Sequence, residues 1–172
     1  MDDLVWYVAY GSNLSRARFL RYLDEPPRAD RALTVGHTLW FGGESVVWTG
    51  GRAYVDHEPQ PGRETLARAW LLTEPQWVEL HHRENGPDGD RYPVVLDLGE
   101  HEGTPVRSFT GPQRLHPTLC TRPAPDYLRA IATGLGEAHG LDAGAVATYL
   151  LGCPGLEDCW SEVELLDVLS SP

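Results

Sequence analysis

Leu4-Val5-Trp6-Tyr7-Val8-Ala9-Tyr10-Gly11-Ser12-Asn13-Leu14 is the stretch on which the fold of this chain turns. Leu4 to Tyr10 is β-branched, aromatic or aliphatic and stops at Gly11-Ser12-Asn13, which reads as a strand entering a tight turn. Leu14, Ala17, Leu20 and Leu23 then recur at helical spacing until Pro26-Pro27 ends the pattern. Glycine lets the backbone turn sharply at such a junction, and the amides at the helix start stay unpaired and partly positive. A nest of that kind suits a carboxylate or a developing oxyanion. The same residues also suit an ordinary turn in which Ser12 or Asn13 caps the helix.

Outward from this junction, short apolar segments between Arg31 and Leu72 are punctuated by Gly42-Gly43, Gly50-Gly51 and Pro59-Gln60-Pro61-Gly62, and read as strands and hairpins. Thr73-Glu74-Pro75-Gln76 forms a capping box that opens a helix closed by Asn85-Gly86-Pro87. Two strands follow, near Tyr92 to Leu98 and Val106 to Phe109. The tail reads as helices over Asp126 to His139, over Asp142 to Leu151, and from the Ser161-Glu162-Val163-Glu164 box onward. Strands first and helices last, joined by hairpin-length links, predict an α+β fold with a mainly antiparallel, barrel-like sheet flanked by helices.

Size and charge narrow the function. At 172 residues, area scaling gives about 8,400 Å² folded against about 28,000 Å² unfolded, enough burial for one domain over residues 1–172. No apolar run approaches the roughly 20 residues of a membrane-spanning helix, and the acidic start Met1-Asp2-Asp3 lacks the positive region of a signal peptide. Fourteen basic against 25 acidic residues leave a net charge of −11, the wrong sign for nucleic acid or an anionic membrane, so a small-molecule partner is expected. Every basic residue is arginine. Without lysine there is no Schiff-base chemistry and no P-loop lysine. Cys120, Cys153 and Cys159 are odd in number and unpatterned, which fits a reducing cytoplasm.

Glu84 stands out in the second helix. Trp77, Leu80 and Glu84 lie at i, i+3 and i+7, so a carboxylate continues an apolar stripe, and it does so at the negative end of the helix dipole. Burial and dipole both push its pKa up, towards proton transfer near neutrality; a frayed helix end would instead leave it in water. Trp48-Thr49-Gly50-Gly51-Arg52-Ala53 reads as a hairpin turn whose double glycine also permits close approach of a ligand. The seven histidines show no metal-ligand spacing, and His81-His82 point about 100° apart on a helix, so no metal site is expected. Cys120 with His116 poses as a nucleophile–base pair, against the commoner inert cysteine.

In order along the chain, Tyr7-Val8-Ala9-Tyr10-Gly11-Ser12-Asn13-Leu14, Trp48-Thr49-Gly50-Gly51-Arg52-Ala53, Glu84 closing a helix, Tyr92 opening the next strand, Pro125-Asp126-Tyr127 and Ser161-Glu162 resemble the γ-glutamylcyclotransferases. The resemblance implies a barrel-centred fold and a cofactor-free reaction. The α-amine of a γ-glutamyl amide attacks its own side-chain carbonyl, giving 5-oxoproline and a free amine. It also implies that Tyr10, Gly11, Ser12, Asn13, Leu14 and Tyr92 contact substrate and that Glu84 carries the protons. The chain departs from the family pattern in His81-His82-Arg83-Glu84-Asn85-Gly86, where aspartate and glycines are usual, and at Arg52, where a small or apolar residue is usual. Both changes fall on the leaving-amine side. Two other functions share these residues: an amide hydrolase or deacetylase using water as nucleophile, and a non-catalytic module that binds a γ-glutamyl ligand.

Overall fold

The computed structural model describes residues 3–171; Met1, Asp2 and Pro172 lie outside the described residues, and with them most of the acidic start. Strand β1 (Leu4–Ala9) runs through the middle of a five-stranded sheet. It pairs antiparallel with β5 (Thr65–Thr73), from Leu4 opposite Thr73 to Ala9 opposite Arg68. On its other side it pairs parallel with β7 (Thr104–Thr110). Two edge strands complete the sheet, β2 (Ala29–Val35) beside β5 and β6 (Val94–His101) beside β7, giving the order β2-β5-β1-β7-β6. All pairs but β1 with β7 are antiparallel.

The barrel-like sheet stays in two pieces. β3 (His37–Ser45) and β4 (Gly50–Pro59) form a separate antiparallel hairpin. Two buried threonine hydroxyls tie it to the larger sheet. Thr65 Oγ1 on β5 accepts from Leu39 N (3.1 Å) and donates to the His37 carbonyl (2.6 Å). Thr110 Oγ1 on β7 accepts from Val55 N (3.2 Å) and donates to the Val55 carbonyl (2.7 Å). Each hydroxyl satisfies backbone groups that a continuous ladder would have paired. The folded chain exposes 8653 Å², close to the area its mass predicts.

Helices pack against the sheet in two groups. The stripe Leu14, Ala17, Leu20, Leu23 does not form one helix. A 3-10 turn (Ser12–Leu14), a single turn α1 (Arg16–Phe19) and a second 3-10 turn (Leu20–Tyr22) take its place. Ser15 is extended between the first two (φ −69°, ψ 122°), which shifts the register. Leu14 then enters the cluster under the C-terminal helices, Phe19 enters a separate cluster with Trp70 and the α2 side chains Trp77 and Leu80, and Ala17 is exposed. Helix α2 (Glu74–Asn85) carries the expected reciprocal box between Thr73 and Gln76 and ends at Gly86, whose φ of 79° favours glycine. Helices α3 (Pro125–His139), α4 (Ala143–Leu151) and α5 (Glu162–Ser170) form a second group, α5 opening on the Ser161–Glu164 box.

The double glycine admits the protein's own chain, not a ligand. Gly51 N donates to the Arg122 carbonyl (2.9 Å), and a Cβ on Gly51 would collide with the carbonyl of Thr121. Among the described residues, no helix is long and apolar enough to cross a membrane.

Candidate active site

Past Ala9 the chain leaves the sheet, and side chains of β5 fix its path. Residues two apart on a strand share a face, and Arg68 and Trp70 use theirs to take the loop's carbonyls. Trp70 Nε1 donates to the Asn13 carbonyl (3.0 Å), and an Arg68 terminal nitrogen donates to that of Leu14 (3.1 Å). Arg68, only 5% exposed, is itself neutralised by Asp30 (2.6 Å) and Glu137 (2.7 Å) and lies over the Trp70 ring. Burial raises the Asp30 carboxyl, but hydrogen bonds from Arg68 and Arg16 outweigh it and hold the group below its ordinary value.

With the carbonyls held on that side, the amides of Gly11, Ser12 and Asn13 have no acceptor among the described residues; only Leu14 N and Ser15 N turn back, to Gly11 and Ser12. Neither Ser12 nor Asn13 caps a helix. Ser12 Oγ accepts from Arg18 Nε (3.0 Å), and Asn13 Nδ2 donates to Glu84 Oε1 (2.9 Å) and to the Tyr7 hydroxyl (3.3 Å). Gly11 has φ −108°, so glycine is needed there for room and not for a left-handed backbone: a Cβ would lie 3.0 Å from the Tyr127 hydroxyl and 3.3 Å from Ala53 Cβ.

Glu84 sits one residue from the end of α2, below the buried Trp77 and Leu80 of the same stripe. Burial pushes its pKa up. The Asn13 hydrogen bond and the charges of Arg18, Arg91 and Arg52 pull it partly back, and the net direction is upward. The Asn13 Oδ1 atom, on a side chain 6% exposed, has no partner. It is a buried acceptor beside a carboxylate, suited to an ammonium.

Aromatic hydroxyls wall the space around this pair. Tyr10 donates to the Phe109 carbonyl (2.7 Å); Tyr127 accepts from Ala53 N (2.9 Å); Tyr92 donates to the Ala53 carbonyl (3.4 Å). Burial raises the pKa of all three and of Tyr7, so the wall is neutral at physiological pH. Tyr92 precedes its strand, which begins at Val94, and is fixed by its own N–H donating to Asn85 Oδ1 (2.9 Å).

Tyr10, Gly11, Ser12, Asn13, Glu84 and Tyr92 thus line one inner cleft, joined by Tyr7, Ala53, Phe109 and Tyr127. Leu14 does not reach it: fully buried, it supports the loop from beneath, against Gly134 of α3. The inner cleft opens through Ser12, Glu84, Tyr92 and Tyr127 into an outer one of about 220 Å³ bounded by Arg18, Trp48, Arg52 and Arg91. The sequence reading missed Tyr7 and Tyr127, and it missed Arg18 and Arg91. Tyr127 had a signal in the Pro-Asp-Tyr helix start; the arginines had none.

The cysteine and histidine alternatives resolve locally. The His116 ring serves Thr118 Oγ1 (2.8 Å), while Cys120 Sγ faces the His116 carbonyl, so thiol and imidazole do not meet. His81 Nε2 bonds to the Tyr92 carbonyl (2.8 Å) and its ring stacks on Trp77. No three His, Cys, Asp or Glu side chains form a metal-binding group among the described residues.

Three solved structures resemble this chain over most of its length. One is an uncharacterized protein from Homo sapiens, 23% identical, with TM-score 0.67 over 99% of this chain and 100% of that one. A γ-glutamyl cyclotransferase is 22% identical, with TM-score 0.67 over 97% and 98%. YkqA of Bacillus subtilis is 21% identical, with TM-score 0.60 over 88% of this chain and 55% of that one. The fold is therefore γ-glutamylcyclotransferase-like, and these likenesses speak to fold alone. No family model matches. By sequence, an alignment of 113 positions that covers 55% of the chain is 30% identical to histone deacetylase 5 of Arabidopsis thaliana, and it spans 17% of that protein's length.

Proposed function

We propose that this chain is a γ-glutamylcyclotransferase: it converts a γ-glutamyl amide, of an amino acid or of a masked metabolite, to 5-oxoproline and a free amine. One observation carries the reading. A carboxylate of raised pKa, Glu84, is hydrogen-bonded to Asn13 of the loop whose three preceding or shared amides, Gly11, Ser12 and Asn13, stand free at the same cleft.

The reaction needs little else. Ring closure is intramolecular, so holding the substrate folded supplies much of the rate. Glu84 takes a proton from the α-ammonium, and the freed amine attacks the γ-carbonyl carbon. The carbonyl oxygen becomes an oxyanion facing the loop amides. As it collapses, the bond to the leaving nitrogen breaks and that nitrogen takes the proton back from Glu84, while the ring nitrogen sheds its second proton, which leaves with the amine as an ammonium. A single carboxyl thus serves as base and then acid, and a pKa above the ordinary carboxylate range brings it nearer to both tasks. The neutral tyrosine wall places no competing charge beside the ammonium. Free thiols at Cys120, Cys153 and Cys159 suit a reducing cytoplasm.

Incubation with a panel of γ-glutamyl amides, with quantification of products, tests this. 5-Oxoproline with an equimolar amine is the expected result, undiminished by exhaustive chelation. Free glutamate or acetate would establish the hydrolase, and binding without turnover the non-catalytic module.

A further inference from the structure

Fourteen arginines in a chain of net charge −11 are expected to find carboxylates, and half of them do. The outer cleft is an exception. Arg18, Arg52 and Arg91 all border it, and none has an ion-pair partner among the described residues. Arg83, also there, is paired with Glu79 (2.7 Å). Glu84 is the one carboxylate in the lining, so three unpaired guanidinium charges against one carboxylate leave two positive charges uncompensated.

These arginines are also held in place. Arg18 donates to Ser12 Oγ and to the Tyr22 hydroxyl (2.8 Å), and its guanidinium lies 4.5 Å from the centre of the Trp48 ring. Arg52 donates to the Glu44 carbonyl, while its Nε is buried with no partner. A buried donor left unmade costs free energy unless a ligand or water meets it. Arg91 is wedged against Gly86, where a Cβ would lie 2.7 Å from its Nε.

Resting on the cyclotransferase reading, we propose that the outer cleft selects a leaving amine bearing two negative charges, as a dicarboxylate or a phosphate monoester. With Glu84 and the loop holding the γ-glutamyl part, the leaving amine projects through the shared opening into the arginine cluster. Planar guanidinium forks pair bidentately with either anion.

The test compares kcat/KM for γ-glutamyl amides of putrescine, propylamine, alanine, glutamate and 2-aminoethyl phosphate, scored by 5-oxoproline. The specificity constant rises about tenfold with each negative charge and falls with added salt. The last two substrates distinguish dicarboxylate from phosphate. Arg52→Gln and Arg91→Gln each compress the dianion-to-neutral ratio roughly tenfold, and Arg52→Lys, which keeps the charge but not the fork, restores only part of it. Both rates come from one preparation, so partial unfolding cancels from the ratio. Equal constants across the panel, or ratios indifferent to these substitutions, would overturn the inference while leaving the cyclotransferase standing. Absence of 5-oxoproline from every amide would remove both.

Discussion

The inner and outer clefts share Ser12, Glu84, Tyr92 and Tyr127 yet are built on opposite principles. The inner one is neutral and rigid: tyrosine hydroxyls tied to backbone carbonyls and amides, three free amides, one carboxyl with a raised pKa. The outer one is charged and larger, about 220 Å³ against about 30 Å³, with unpaired arginines from three separate segments and the exposed Val47 in its lining. Reaction chemistry belongs to a place where a proton's position is controlled by burial. Selection among charged leaving groups belongs where charge is retained and solvent enters. In the proposed function the two tasks meet at these four shared residues, of which Glu84 is the one carboxylate.

The sharpest way to break the comparison is Glu84→Gln, which keeps shape but cannot carry a proton at neutral pH. Turnover falls by about 10²–10⁴-fold, while 5-oxoproline binding, measured by calorimetry, persists. Near-normal turnover would remove Glu84 from the chemistry. Next is Arg68→Met, which leaves the Leu14 carbonyl without its donor and Asp30 and Glu137 with Arg16 alone. Stability drops by about 3 kcal/mol in urea unfolding, and kcat/KM falls roughly tenfold as the loop loses its clamp. An unchanged urea midpoint would show that the clamp is redundant.

Asn13→Ala sharpens the inner half. The hydrogen bond from Asn13 lowers the Glu84 pKa, so its removal raises that pKa further, and a base must be ionised to act. The acidic limb of the kcat/KM profile therefore moves to higher pH, with about a tenfold loss below it. A limb that stays put would separate Asn13 from proton transfer. The smallest effect is on stability. Glu84 has a raised folded pKa, so its contribution is greatest below the unfolded value and is lost as pH rises through the folded one. Glu84→Gln consequently matches the parent near pH 4 and melts higher near pH 8, by roughly 2–4 °C for each kcal/mol involved. The reverse order would mean that Glu84 is stabilised as an anion.

The inner cleft was largely legible in the sequence because its parts are local. Tyr10 to Asn13 are consecutive, and Glu84 betrays itself by interrupting the Trp77–Leu80 stripe at a helix end. Capping boxes at Thr73 and Ser161 fixed their helices for the same local reason. What escaped was long-range. Tyr127 reaches the loop across more than a hundred residues, Arg68 and Trp70 hold it from the neighbouring strand, and Arg18 and Arg91 meet only after folding. The double glycine reads as a hairpin turn with room for a ligand; the hairpin forms, but the Thr121-Arg122 backbone fills the room at Gly51, and no local pattern marks a contact with a distant segment. The helix expected over Leu14 to Leu23 failed because one extended residue, Ser15, lets Leu14 and Phe19 serve different cores, and periodicity assumes one.

The central claim is that the cleft closes a γ-glutamyl amide on itself without water entering the bond-breaking step. Turnover in ¹⁸O-labelled water, followed by mass spectrometry of the acid product, tests it most directly. Unlabelled 5-oxoproline, formed mole for mole with the amine, is the result this account predicts. Glutamate carrying one ¹⁸O atom would contradict it.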